Sequence, residues 1–86
     1  MSKDITEKIL LKAGFYEISR EDPYNVSYEL LSPDIYITNY KITRSHRARH
    51  WYCEVSNGVD CANVDIQTID QFNKLMDLMN IDFRLK

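Results

Sequence analysis

Residues 50–66 read H-W-Y-C-E-V-S-N-G-V-D-C-A-N-V-D-I, with Asn57-Gly58 near the middle. Asn-Gly between two alternating apolar runs is the strongest short signal for a β-hairpin. A two-residue loop at that dipeptide opposes Ser56 to Val59, Val55 to Asp60, Glu54 to Cys61, Cys53 to Ala62, Tyr52 to Asn63, Trp51 to Val64 and His50 to Asp65. One face then carries Trp51, Cys53, Val55, Ala62, Val64 and Ile66. The other carries His50, Tyr52, Glu54, Cys61, Asn63 and Asp65. The first is predicted to pack inward and the second to meet water; a slip of one residue would set Trp51 among charges.

Working upstream, I-Y-I-T-N-Y-K-I at 35–42 is a strand whose buried face is ambiguous. Ile35 and Ile37 lie on one side and Tyr36, Tyr40 and Ile42 on the other, which a bulge would reconcile. Ser32-Pro33-Asp34 punctuates before it. Val26, Tyr28 and Leu30 alternate on another strand, and Phe15 to Arg20 forms a short one, the two separated by a turn containing Pro23. Before these, Ile5, Ile9, Leu10 and Ala13 recur at helical spacing behind Asp4, with Glu7 completing a capping box and Gly14 suited to the helix end. Downstream, Thr68 and Gln71 form a second capping box ahead of Ile69, Phe72, Leu75, Met76 and Met79. Residues 81–85, I-D-F-R-L, alternate as a last short strand or a packed tail. The predicted class is α+β, a two-layer domain over residues 1–86. Its order is N-terminal helix, four-stranded antiparallel meander, C-terminal helix, with 81–85 as the optional final strand.

Eighty-six residues, 44% hydrophobic and 28% charged, suit one folded domain with a thin core. No apolar run approaches the roughly 18 residues of a membrane span, and M-S-K-D-I-T-E lacks the marks of a signal peptide. A cytoplasmic location follows as an expectation, with Cys53 and Cys61 as free thiols.

Catalytic and metal chemistry find little footing. His46, His50, Cys53 and Cys61 have zinc-ligand identities, but the hairpin alternation sends Cys53 inward and His50 and Cys61 outward, where they cannot converge on one ion. A nucleophilic Cys61 would face Glu54, a poor setting for a thiolate. Gly-rich phosphate loops and nucleophile-elbow motifs are missing from the sequence, and so small a domain seldom encloses a pocket of about 300 Å³. No cofactor, no metal and no enzymatic activity are expected.

Charge is segregated instead. Residues 41–50, K-I-T-R-S-H-R-A-R-H, hold Lys41, Arg44, Arg47, Arg49, His46 and His50 and no carboxylate; the remainder carries seven basic against thirteen acidic residues, so +4 sits on −6. Arginine's planar fork suits carboxylate or phosphate recognition, and Tyr40 and Tyr52 flank the segment with interface-type rings. Lys41, Arg44, His46, Arg47, Arg49, Tyr40 and Tyr52 are therefore the candidate partner-binding residues, at a loop 43–48 between two strands. The bland alternative is a solvated turn. Tyr16, Tyr24, Tyr28 and Tyr36 add to a surface of interface character. A net charge of −2 and a pI near 5.6 favour a protein partner over nucleic acid. A second copy of the chain is a further candidate partner, and His50 opposite Asp65 is a cross-strand pair that would titrate near neutral pH.

The runs L-L-K-A-G-F at 10–15, W-Y-C-E-V at 51–55 and T-I-D-Q-F-N-K-L-M-D-L-M at 68–79 resemble small uncharacterised accessory proteins of phages and mobile elements from gut bacteria. The resemblance rests on core positions and a helix cap. It implies a modulator of a host or phage component and assigns no functional residue.

Overall fold

The computed structural model describes residues 3–22, 25–31, 34–41 and 49–86. Helix α1 (Glu7–Lys12) precedes strands β1 (Tyr16–Asp22), β2 (Asn25–Leu30), β3 (Ile35–Lys41), β4 (Arg49–Ser56) and β5 (Cys61–Ile66), and helix α2 (Ile69–Leu78) follows. The strands pair in the order β1-β2-β3-β4-β5, every neighbour antiparallel. The class is α+β, as the periodicities predict, but the meander has five strands rather than four. The stretch beginning at Tyr16 is a full edge strand that pairs with β2 along its length, despite register shifts between Glu17 and Ser19 and between Arg20 and Asp22. The irregularity expected in β3 therefore lies in β1: β3 pairs without interruption on both sides. Ile35 and Ile37 face the core, and Tyr36 and Thr38 the opposite side.

The hairpin forms, with its register displaced by two residues from the expected one. Ser56 opposes Cys61, Val55 Ala62, Glu54 Asn63, Cys53 Val64, Tyr52 Asp65 and Trp51 Ile66. The tip is Gly58-Val59, closed by the Asn57 N–H donating to the Asp60 carbonyl at 3.1 Å. The cause is the Asn57 side chain, whose bonds hold it at the flank of the turn. Its Oδ1 accepts from the Val59 and Asp60 amides at 2.9 and 2.7 Å, and its Nδ2 donates to the Met79 carbonyl at 2.8 Å. Only Gly58 of the pair takes a positive φ, +90°. An even displacement keeps each residue on its predicted face and changes only its cross-strand neighbour. The His50–Asp65 pairing is thereby overturned: His50 lies opposite Tyr40, and Asp65 opposite Tyr52. Cys61 likewise faces Ser56 and not Glu54.

Helix α1 is shorter than its periodicity suggests, because Thr6 and not Asp4 caps it, the hydroxyl accepting from the Ile9 amide at 3.2 Å. Asp4 instead forms an isolated antiparallel bridge with Thr68, where Ile5 N–H donates to Gln67 O and Ile69 N–H to Lys3 O, each at 2.8 Å. The predicted Thr68–Gln71 capping box of α2 is present in both directions. Residues 81–85 are the packed tail: Asn80 turns the chain at φ +57°, and Asn73 then holds Leu85 by its amide and carbonyl at 2.9 and 3.1 Å.

One core gathers Leu10 of α1, Phe72 and Met76 of α2, Tyr28, Ile35, Ile37 and Cys53 of the strands, and Ile81 and Leu85 of the tail. The buried apolar residues of the strands share one parity, so both helices cover the same side of the sheet. Phe15, Phe72 and Phe83 meet edge to face with centroids 5.9 to 6.5 Å apart. Trp51, 6% exposed, donates its indole N–H to the Ile5 carbonyl at 3.0 Å and so fastens the segment before α1 to the sheet. Arg20 bonds both Glu7 and Glu17, at 3.1 and 2.8 Å, tying α1 to β1 over Tyr28. Among the described residues no helix is long and apolar enough to cross a membrane.

Candidate functional site

Because α1 and α2 lie on one side, the other side of the sheet is uncovered by helix, and the registers place its residues in rows. Tyr16, Glu29, Tyr36, Glu54 and Asn63 form one row across the five strands. Ser19, Ser27, Thr38, Tyr52 and Asp65 form the next. At the middle of this face the Tyr36 hydroxyl donates to Ser27 Oγ at 2.8 Å, and Ser27 Oγ lies 3.4 Å from Thr38 Oγ1. Ser27 is buried at 7% beneath these neighbours, while Tyr36 and Tyr52 remain half-exposed with their rings at the surface. The bonds hold Tyr36 in one orientation, which reduces the entropy a partner must spend in ordering it.

A cleft of about 490 Å³ opens at one end of this face, lined by Glu29, Asp34, Tyr36, Glu54, Cys61 and Asn63 among others. A second, of about 510 Å³, lies beside the hairpin tip between Leu31, Gly58 and Phe83. Both are shallow depressions open to solvent rather than enclosed cavities. The carboxylates of the first were not legible as a group in the sequence, since Glu29 and Glu54 are distant along the chain and meet only through the β2-β3-β4 registers.

The opposite end of β3 and β4 carries the basic segment. Lys41 pairs with Arg49 and Tyr40 with His50 at the last rungs, so these four are brought together at the backbone, with Tyr52 opposite Thr38 two rungs away. Arg44, His46 and Arg47 lie outside the described residues, as do Ile42 and Tyr24. Six steps along β3 separate Lys41 from Ile35, roughly 20 Å at the strand rise. The face thus runs from a carboxylate cleft to the rungs at which the basic segment begins and ends.

Tyr28 does not join this surface. It is 1% exposed, packs 6.0 Å from Trp51, and its hydroxyl is buried without a hydrogen bond among the described residues. Burial first, and the Glu7 carboxylate second, raise its pKa well above the ordinary tyrosine value. Cys53 is also in the core, its thiol pushed up to about 12 by burial, with a smaller contribution from Glu54. Cys61 is exposed on the far side of the sheet. The two sulfurs accordingly belong to different layers. No known protein family, curated protein or solved structure matches this chain.

Proposed function

We propose that this protein acts in the cytoplasm as a non-enzymatic binding module that modulates a protein partner, through the open sheet face and the basic segment at its end. The observation that carries the reading is the β3–β4 register, in which Thr38 opposes Tyr52 and Tyr36 opposes Glu54 on the helix-free side while the same strands lead into Lys41 and Arg49. Tyrosine and arginine are over-represented among the anchoring residues of protein interfaces, and the sequence supplies both in and around this segment. The resemblance to accessory proteins of phages and mobile elements extends the proposal to an inhibitor of a host component.

The experiment compares affinity capture by the wild type, an Arg44→Gln/Arg47→Gln/Arg49→Gln variant and Tyr52→Ala. The reading expects a specific partner to be lost or reduced in both variants. Recovery of the same partners in the same amounts by all three overturns it. The carboxylate-free basic segment favours one second reading, contact with the nucleic-acid backbone. That reading expects affinity to fall steeply with salt, the slope decreasing by about one unit per contacting arginine removed.

A further inference from the structure

The two edges of the sheet are built differently. Edge β1 is interrupted by two register shifts, and Glu17 and Arg20 on it are held in ion pairs with each other and with α1. Bulges and charges of this kind are how an edge is kept from pairing with another chain. Edge β5, C-A-N-V-D-I, pairs with β4 without a register shift and has one charged residue, Asp65.

The orientation of its free backbone groups follows from two bonds. Asn57 donates to Asp60 in the β4–β5 hairpin, which with antiparallel alternation turns the backbone groups of Ala62, Val64 and Ile66 toward β4. Gln67, of the other parity, accepts from Ile5 on the side away from β4. The N–H and C=O groups of Cys61, Asn63 and Asp65 therefore point outward. The exposed run is bounded by the hairpin tip at one end and by the Ile5–Gln67 bond at the other, and its middle residue is Asn63.

We infer that residues 61–65 of β5 pair antiparallel with the same residues of a second copy, about a two-fold axis at Asn63, joining two sheets into one. This register is self-complementary. Asn63 meets Asn63, Ala62 meets Val64, and Asp65 meets Cys61, so no like charges are opposed. It also supplies what β5 lacks on the helix side. Ala62 and Val64 are half-buried, whereas their β4 partners Val55 and Cys53 are 3% and 0% exposed. In the pair, Val64 of one copy covers Ala62 of the other. A short edge contact of this type is concentration-dependent rather than permanent. The inference is independent of the protein-partner reading, since that reading rests on β3 and β4 while this contact is made by the edge backbone groups of β5, which point in the sheet plane.

Sedimentation equilibrium of the full chain from about 1 μM to about 1 mM tests it. The wild type is expected to pass from monomer to dimer, with the Cys61, Asn63 and Asp65 amides gaining protection from hydrogen exchange in step. Asn63→Pro, which removes an outward N–H, is expected to stay monomeric with an unchanged circular dichroism spectrum. Because a proline could unfold the strand, Asn63→Lys and Asn63→Glu provide a second arm: each alone is monomeric, and an equimolar mixture forms a heterodimer. A wild type that remains monomeric throughout overturns the inference, as does dimerisation of either charged variant alone to the wild-type extent.

Discussion

The bonds of Asn57 set the hairpin register, and their removal has a calculable effect. Asn57→Ala deletes two turn bonds that share Oδ1 and one partly buried bond from Nδ2 to the Met79 carbonyl at the end of α2. Net contributions of about 0.5 kcal/mol for each exposed turn bond and about 1 kcal/mol for the partly buried one total about 2 kcal/mol. For a chain of this length that corresponds to a fall in melting temperature of roughly 8 to 16 °C. Urea and thermal unfolding followed by the fluorescence of Trp51, the sole tryptophan, gives both quantities, and hydrogen exchange should show loss of protection at Val59 and Asp60. A change below about 0.5 kcal/mol, well under the net worth of one such bond pair, would refute the account of why the tip is Gly58-Val59.

Phe72→Ala removes a fully buried ring that contacts Phe15 and Phe83, and should cost about 3 to 5 kcal/mol in chemical denaturation, enough to leave little cooperative folding. Thr68→Ala breaks the capping box of α2; a loss of about 1 kcal/mol is expected, with Thr68→Ser close to wild type on the same assay. In native protein at mildly alkaline pH, a thiol reagent should label Cys61 promptly and Cys53 only after denaturant is added, because the Cys53 thiol is pushed up to about 12. The same displacement fixes a pH dependence. The unfolded thiol ionises from about pH 9 while the folded one keeps its proton, so the unfolded state binds fewer protons and stability declines as pH rises from there toward 12. Tyr28, raised in the same direction, steepens the decline above the ordinary tyrosine range; a flat alkaline profile would contradict both assignments.

Alternation and capping chemistry made most of the fold legible. Trp51, Cys53, Val55 and Ile66 were assignable to the core because parity survives any even slip of register. The capping box at Thr68 was legible because its partners are local in sequence. What escaped depends on side chains acting at a distance: the reach of Asn57 to Met79 moved the hairpin tip, and the bridge of Asp4 to Thr68 withdrew Asp4 from its expected cap. Tyr28 looked like interface material by composition and proved to be core, since its strand alternates with Val26 and Leu30. Of the candidate site, the basic segment stood out by charge alone. The carboxylate cleft facing it along the same strands emerged only from pairings among β2, β3 and β4.

The bonds joining Lys3 and Ile5 to residues 67 and 69 bear on the order in which the molecule is completed. A nascent chain leaving the ribosome has made residues 3–5 long before the segment that receives them exists. The meander can zip up progressively from neighbouring hairpins, but the backbone groups of Lys3 and Ile5 must wait for their partners until residues 67–69 have been synthesised and released from the exit tunnel.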